Sequence, residues 1–340
     1  AGEVPAPAGT FCRTLGYSCD LWNSSSAHGV AVAEVIHDMA PGASLYLATV
    51  VTVTDLGAAV DWFDSQGVQI ISRSLASVLD GPGDGTGSVD AIVDDAVSRG
   101  MIWLNAAGNS ASASGTANGS YWRGSWSDVD ADGWLEFAPG DEALGFFCGF
   151  IQGVRWSDWD TSDVTDYDVL ITDAITGDTL ATLVADQGAG APPLDLVELG
   201  GINCNAHPVL KLWVHLYDAG GGTNGDTLEF MANRSDFEYS SNPYSVAQPA
   251  CDSANPGMLT IGAIDPAIGG AIASYSSRGP TNDERIKPDL SAPSCLPSLS
   301  YAPDCFDGTS AATPVVAGAA ALVWGAGVAT TPTAVADYMR

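Results

Sequence analysis

Positive charge is scarce in this chain. Against 41 acidic residues stand 11 basic ones, with lysine only at Lys211 and Lys287, for a formal net charge of −30. Such a surface repels phosphate backbones and anionic lipid, which excludes nucleic acid as a partner and favours solubility in salt or bound cations. No apolar run reaches the roughly twenty residues needed to cross a bilayer, so no membrane span is expected. No basic, apolar leader opens the sequence, and any export signal or propeptide is expected to have been removed or to lie outside these residues. The seven cysteines include no Cys-x-x-Cys pair, which removes the usual zinc and thiol-redox signatures. Seven is still many for a cytosolic enzyme. The expected pairs are Cys12 with Cys19, Cys148 with Cys204 and Cys295 with Cys305, leaving Cys251 over, in a secreted protein. Closing the 295–305 loop is worth on the order of 3 kcal/mol.

What the sequence does contain is a serine between small residues at the head of a long apolar run. Gly308-Thr309-Ser310-Ala311-Ala312-Thr313-Pro314 leads into Val315-Val316-Ala317-Gly318-Ala319-Ala320-Ala321-Leu322-Val323. Almost nothing polar follows Thr313, so the helix is expected to be buried. Unpaired amides and the helix dipole at its start would favour an oxyanion growing beside Ser310. Taken alone, the same segment also reads as a capping serine on a core helix. The pattern is not Gly-x-Ser-x-Gly, which argues against the nucleophile elbow of an α/β-hydrolase esterase.

Residues 1–27 are rich in Pro, Gly and Ser and read as surface loop. Helical spacing from His28 stops at Pro41-Gly42. A strand is predicted over 44–53, a helix over 55–66, a strand over 68–74, a helix over 88–99 and a strand over 101–106. This alternation predicts an α/β fold: a parallel sheet with helices on both faces and its chemistry at the carboxyl ends of strands. After residue 117 short alternating runs separated by Asp/Gly turns take over, predicting an inserted β-sandwich. The expected domains are an α/β first part over 1–117, the insert over 118–248, and an α/β second part over 249–340.

A serine nucleophile needs a base, and His28, at a helix start beside Gly29, is the candidate among four histidines. His37 reads as solvated or satisfied by neighbours, and His207 and His215 fall in the insert. Asn109, closing Ala106-Ala107-Gly108-Asn109 at a strand end, would aim a side-chain N–H at the oxyanion. These three segments, in this order on one α/β frame, resemble those of subtilisin-like serine peptidases, the subtilases. Tyr275-Ser276-Ser277-Arg278-Gly279-Pro280 and Lys287-Pro288-Asp289-Leu290-Ser291-Ala292-Pro293 are similar to that family as well. The resemblance covers roughly 28–117 and 250–325. It implies a three-layer subtilisin-like fold and hydrolysis of protein or peptide substrates, with Ser310 attacking, His28 shuttling the proton and Asn109 holding the oxyanion. It also implies that Ser74, Leu75 and Ala76 bind extended substrate and, with Ala106, Ala107 and Gly108, wall the principal side-chain pocket.

One departure is expected to matter. The family's aspartate sits on a strand roughly thirty residues before the histidine, and position 28 leaves no room for it. Asp20 and Asp38 are poor substitutes, and the chain reads as a fragment. Loss of that aspartate costs subtilisin roughly 10⁴-fold in kcat, so the 340 residues alone are expected to be a weak peptidase. The rival reading is a binding scaffold whose insert engages an unknown partner. No cofactor is needed for the chemistry. Asp128, Asp130 and Asp132, alternating before Gly133, resemble half a calcium loop, although position twelve is Pro139 rather than glutamate; calcium or a plain acidic turn both fit. Asn23, Asn118 and Asn233 open glycosylation sequons.

Overall fold

The computed structural model describes residues 4–13, 26–75, 79–112, 119–159, 164–187, 191–195, 202–220, 225–233 and 235–340. Its first strand falls where the sequence predicts loop: β1 (Gly9–Cys12) pairs in parallel with β2 (Tyr46–Thr49). Four residues with no apolar alternation carry no periodic signal, yet pairing satisfies their backbone. Between these strands runs α1 (His28–Met39), ending just before the predicted Pro41-Gly42 stop. Then comes α2 (Val53–Ser65), which starts two residues before the predicted Asp55. The cause is a capping box: Thr52 Oγ1 accepts from the Asp55 N–H and Asp55 Oδ2 from the Thr52 N–H, each at 3.1 Å. β3 (Ile70–Arg73), α3 (Ser88–Ser98) and β4 (Ile102–Ala106) follow as the alternation predicts.

The middle of the chain is antiparallel. β5 (Tyr121–Ser125), β7 (Phe150–Trp156), β10 (Leu194–Asp195) and β12 (Thr227–Asn233) form one four-stranded sheet. β6 (Leu144–Phe147), β8 (Asp166–Asp173), β9 (Thr179–Leu183) and β11 (Val209–Asp218) form a second. From Val209 to Val214 of β11 alternate residues are buried, namely Leu210, Leu212 and Val214, and these meet Trp156, Leu228 and Phe230 of the first sheet in one core.

The parallel frame resumes at β13 (Met258–Asp265), which lies beside β4, with β14 (Ala271–Ile272) antiparallel and β15 (Leu290–Pro293) parallel to it. α4 (Thr309–Gly325) and α5 (Pro332–Met339) complete the chain. Both faces of β4 are covered. Ile102 and Leu104 pack with Ala312, Val316 and Ala320 of α4 and Val335 of α5, while Trp103 packs with Leu56 and Val60 of α2 and Val93 of α3. No helix of the described residues is long and apolar enough to cross a membrane.

The antiparallel sheets are tied to this frame by a buried cation. Arg155, 0% exposed, donates to Glu229 at 2.7 and 3.1 Å, to the Gly81 carbonyl at 2.8 Å and to the Ala247 carbonyl. Tyr121 and Asn282 also donate to Glu229. Burial pushes the Glu229 pKa up, but the Arg155 charge and these hydrogen bonds outweigh it and hold the carboxyl below its ordinary value. A depressed carboxylate contributes stability above its unfolded pKa and loses it as pH falls through the folded one. Arg155→Ala, which strands that charge, is therefore expected to lower stability at pH 7 by roughly 3–5 kcal/mol in urea titrations. The deficit relative to the parent chain should shrink as pH falls below the ordinary glutamate range.

Candidate active site

α4 starts abruptly because Gly308 holds φ at +90°, and a Cβ there would stand 3.0 Å from Asn109 Nδ2. Ser310 is the second residue of the helix, so its amide has no intrahelical acceptor and sits in the positive end of the dipole. Its half-buried hydroxyl donates to the Ser74 carbonyl at 3.2 Å, and the Ser74 hydroxyl donates back to the Ser310 carbonyl at 2.9 Å. Asn109 Oδ1 accepts from the Thr309 N–H at 2.9 Å and from Thr309 Oγ1 at 3.0 Å. With Oδ1 committed, Nδ2 has no acceptor among the described residues, and Asn109 is exposed. The Gly108 N–H donates to Thr309 Oγ1 at 3.2 Å, so the loop after β4 and the head of α4 are pinned together by three hydrogen bonds.

β3 and β4 pair with Arg73 opposite Asn105, so Ser74 and Ala106 leave the sheet at one level. Ala106, Ala107 and Gly108 are buried and Leu75 is exposed; Ala76 lies outside the described residues. His28 opens α1, half-buried, with its ring edge-on to Phe306 at 5.6 Å. Ala31 and Val35 of α1 pack with Phe306 and Ala311, which sets the imidazole's helix directly against the serine's helix. Ser74, Asn109 and Ser310 are thus joined through direct bonds or through Thr309, and His28 stands on the adjoining helix.

Several residues that hold this arrangement escaped the sequence reading. Tyr275 donates to Asp307 Oδ1 at 2.6 Å and accepts from the Gly308 N–H at 3.2 Å, bracing the turn into α4. Burial first, then the bond to Asp307, pushes its hydroxyl up to about 12. Glu34, 4% exposed on α1, accepts from the hydroxyls of Ser298 and Ser300 and so anchors the loop closed by the Cys295–Cys305 bridge. Tyr275 lies in a segment noted for its family pattern, but nothing in that pattern says which atom the hydroxyl meets.

The remaining expectations divide. Cys148–Cys204 is bridged and Cys251 is buried and free, while the Cys12–Cys19 pairing falls on Cys19, outside the described residues. Asp20, Asn23 and Asn118 are also outside them. Asp38 is exposed, ten residues along α1 from His28 and therefore about 15 Å away. His37 corrects its reading: Nδ1 is buried with no hydrogen-bond partner among the described residues. His207 lies 2.7 Å from Asp173 and His215 packs on Trp134. One carboxylate oxygen from each of Asp128, Asp130 and Asp132 lies within 4.8 Å of the others, and the Asp128 oxygens already accept from the Asp132 and Gly133 amides. Glu142 feels this group: desolvation first, then repulsion by Asp132 and Asp130, pushes its carboxyl up. The three aspartates are hard oxygen donors of the kind that suit calcium.

Comparison with known proteins adds the family. The model of the subtilase family, peptidase family S8, matches residues 21–135 and 224–340. Bacillopeptidase F of Bacillus subtilis is 38% identical over 100 residues, which are 28% of this chain but only 7% of that protein. The CspB protease of Clostridium perfringens superposes with a TM-score of 0.49 at 16% identity, covering 84% of this chain and 65% of that one. A cold-adapted subtilisin-like serine proteinase does so with a TM-score of 0.42, also at 16% identity, over 91% and 65%.

Tyr275→Phe is expected to lose about 1 kcal/mol of stability by thermal or urea unfolding, since it removes a half-buried hydroxyl that bonds Asp307 and the Gly308 N–H. With its matched segments spanning well over half of the sequence and carrying Asn109 and Ser310, the chain belongs to the subtilase family.

Proposed function

We propose that this chain is the catalytic body of an exported serine endopeptidase that hydrolyses peptide bonds through an acyl-enzyme on Ser310. The observation that carries the reading is the fastening at the head of α4: Ser310 bonded to Ser74 and Asn109 bonded to Thr309, the serine's neighbour. In this reading Ser310 Oγ adds to the scissile carbonyl while His28 takes its proton, then returns it to the departing amine. The oxyanion is held by the Ser310 N–H and Asn109 Nδ2. Substrate runs along Ser74 and Leu75, with Ala76, and seats a side chain against Ala106, Ala107 and Gly108. Residues 118–248 form a β-sandwich domain inserted between the two parts of the peptidase frame, 1–117 and 249–340.

A fluorophosphonate probe tests this directly. Peptide mapping should find it on Ser310, and Asn109→Ala should slow labelling by roughly 10²–10³-fold without loss of fold. An unlabelled Ser310 in folded protein favours the rival, a scaffold acting through its sandwich. We further propose calcium at Asp128, Asp130 and Asp132, supplying charge neutralisation to an acidic loop rather than chemistry. Added calcium should raise Tm in the parent chain, and Asp130→Ala should abolish that rise.

A further inference from the structure

The antiparallel sheets hold acids that the peptidase reading leaves unused. β9 belongs to one sheet and β10 to the other, so the chain changes sheets between them, with Gln187 on one side of the change and Asp195 on the other. Asp195 pairs opposite Val154, and opposed residues of an antiparallel pair share a face. Val154 belongs to the core between the sheets, so Asp195 turns a carboxylate toward it. Asp166 opens β8, the neighbour of β9.

Gln187 joins the two acids. Its backbone N–H bonds the Asp166 carboxyl, and its side-chain Nε2 donates to Asp195 Oδ1 at 3.1 Å. The second bond fixes which way the amide faces, because a reversed amide would set its oxygen against a carboxylate oxygen. Three oxygens are left over: Gln187 Oε1, Asp166 Oδ1 and Asp195 Oδ2. All are buried with no hydrogen-bond partner among the described residues, on residues only 3%, 6% and 6% exposed. Asp166 and Asp195 repel each other, and Asp168 repels both. Among the described residues the ion pairs of these sheets go instead to Glu229 and Asp173. Buried carboxylates without a counter-charge are costly, and a buried amide oxygen without a donor adds to that cost.

We propose that Asp166, Asp195 and Gln187 form a calcium site that clasps the two antiparallel sheets where the chain passes from one to the other. Two carboxylates balance a divalent charge, and Gln187 Oε1 supplies a neutral third donor. An all-oxygen set lacks the nitrogen and sulfur that zinc prefers, and magnesium keeps waters that buried donors leave little room for. The inference rests neither on Ser310 nor on Asp128, Asp130 and Asp132. An ion held by buried donors stays with the chain through purification, so calcium added afterwards acts on the loop around Asp130.

Metal analysis of the 340-residue chain tests it, in an Asp130→Ala background so that this loop contributes nothing. After dialysis against calcium and gel filtration in metal-free buffer, that chain should retain about one calcium, and adding Asp195→Asn should cut this to less than about a tenth. Gln187→Ala keeps both charges, should weaken calcium at least about tenfold, and serves if Asp195→Asn does not fold. Stripping the Asp130→Ala chain with EGTA should lower its Tm, and calcium but not magnesium should restore it. Four results overturn the proposal. They are no calcium on the folded Asp130→Ala chain, undiminished calcium on either folded variant, magnesium or zinc in its place, or a Tm that EGTA leaves unchanged.

Discussion

Thr309 and Asn109 are 200 residues apart in sequence and meet through two bonds to a single carboxamide oxygen. The rest of the candidate site follows from that junction. It fixes the first turn of α4 to the loop after β4, and β4 is the best-buried strand of the frame, so the serine inherits the rigidity of the core. Because Gly108 N–H also reaches Thr309 Oγ1, a rotation of the helix head would break three hydrogen bonds at once. The roles proposed for Ser310 and Asn109, nucleophile and oxyanion donor, require positions held to fractions of an ångström, and a loop alone would not do that.

A second constraint is electrostatic. With a net charge of −30, the chain repels itself, and its few cations are placed where they serve structure. Arg155 is fully buried between two bodies of secondary structure, and Lys287 is buried against Asp289 at 2.7 Å. Such pairs add little net stability compared with apolar packing, but they specify which surfaces meet. Arg155 reaches the loop after β3, the Ala247 carbonyl and Glu229 of β12 together, so it registers the antiparallel sheets on the α/β frame rather than merely attaching them.

The helices and the buried strands were legible because their periodicities are long and their stops are chemical. The Pro41-Gly42 stop and the apolar run after Ser310 are examples. Thr52 was legible in principle, since Thr-x-x-Asp is a capping pattern, but a start at Asp55 satisfied the apolar spacing equally well. β1 was not legible: Gly9-Thr10-Phe11-Cys12 becomes a strand only because β2 offers it an edge. The three site segments were visible as local patterns, and the bonds that assemble them were not. Nothing local tells Asn109 that Thr309 is its partner, because the contact is made by the sheet and helix between them.

The same reasoning explains how a serine-bearing helix stays ordered while the sheet beneath is divided between β2 and β3. α4 is seated on β3, β4, β13 and β15, with Ile102, Leu104, Leu259 and Ile261 in the shared core, and these strands pair without interruption. α1 lies on the other flank of α4, held by Phe306 and by Glu34 reaching the disulfide-closed loop. Ser310 and Asn109 therefore depend on the continuous part of the sheet, and His28 depends on α1. The hydroxyl and the carboxamide are thus held through the sheet, and the imidazole through packing between two helices.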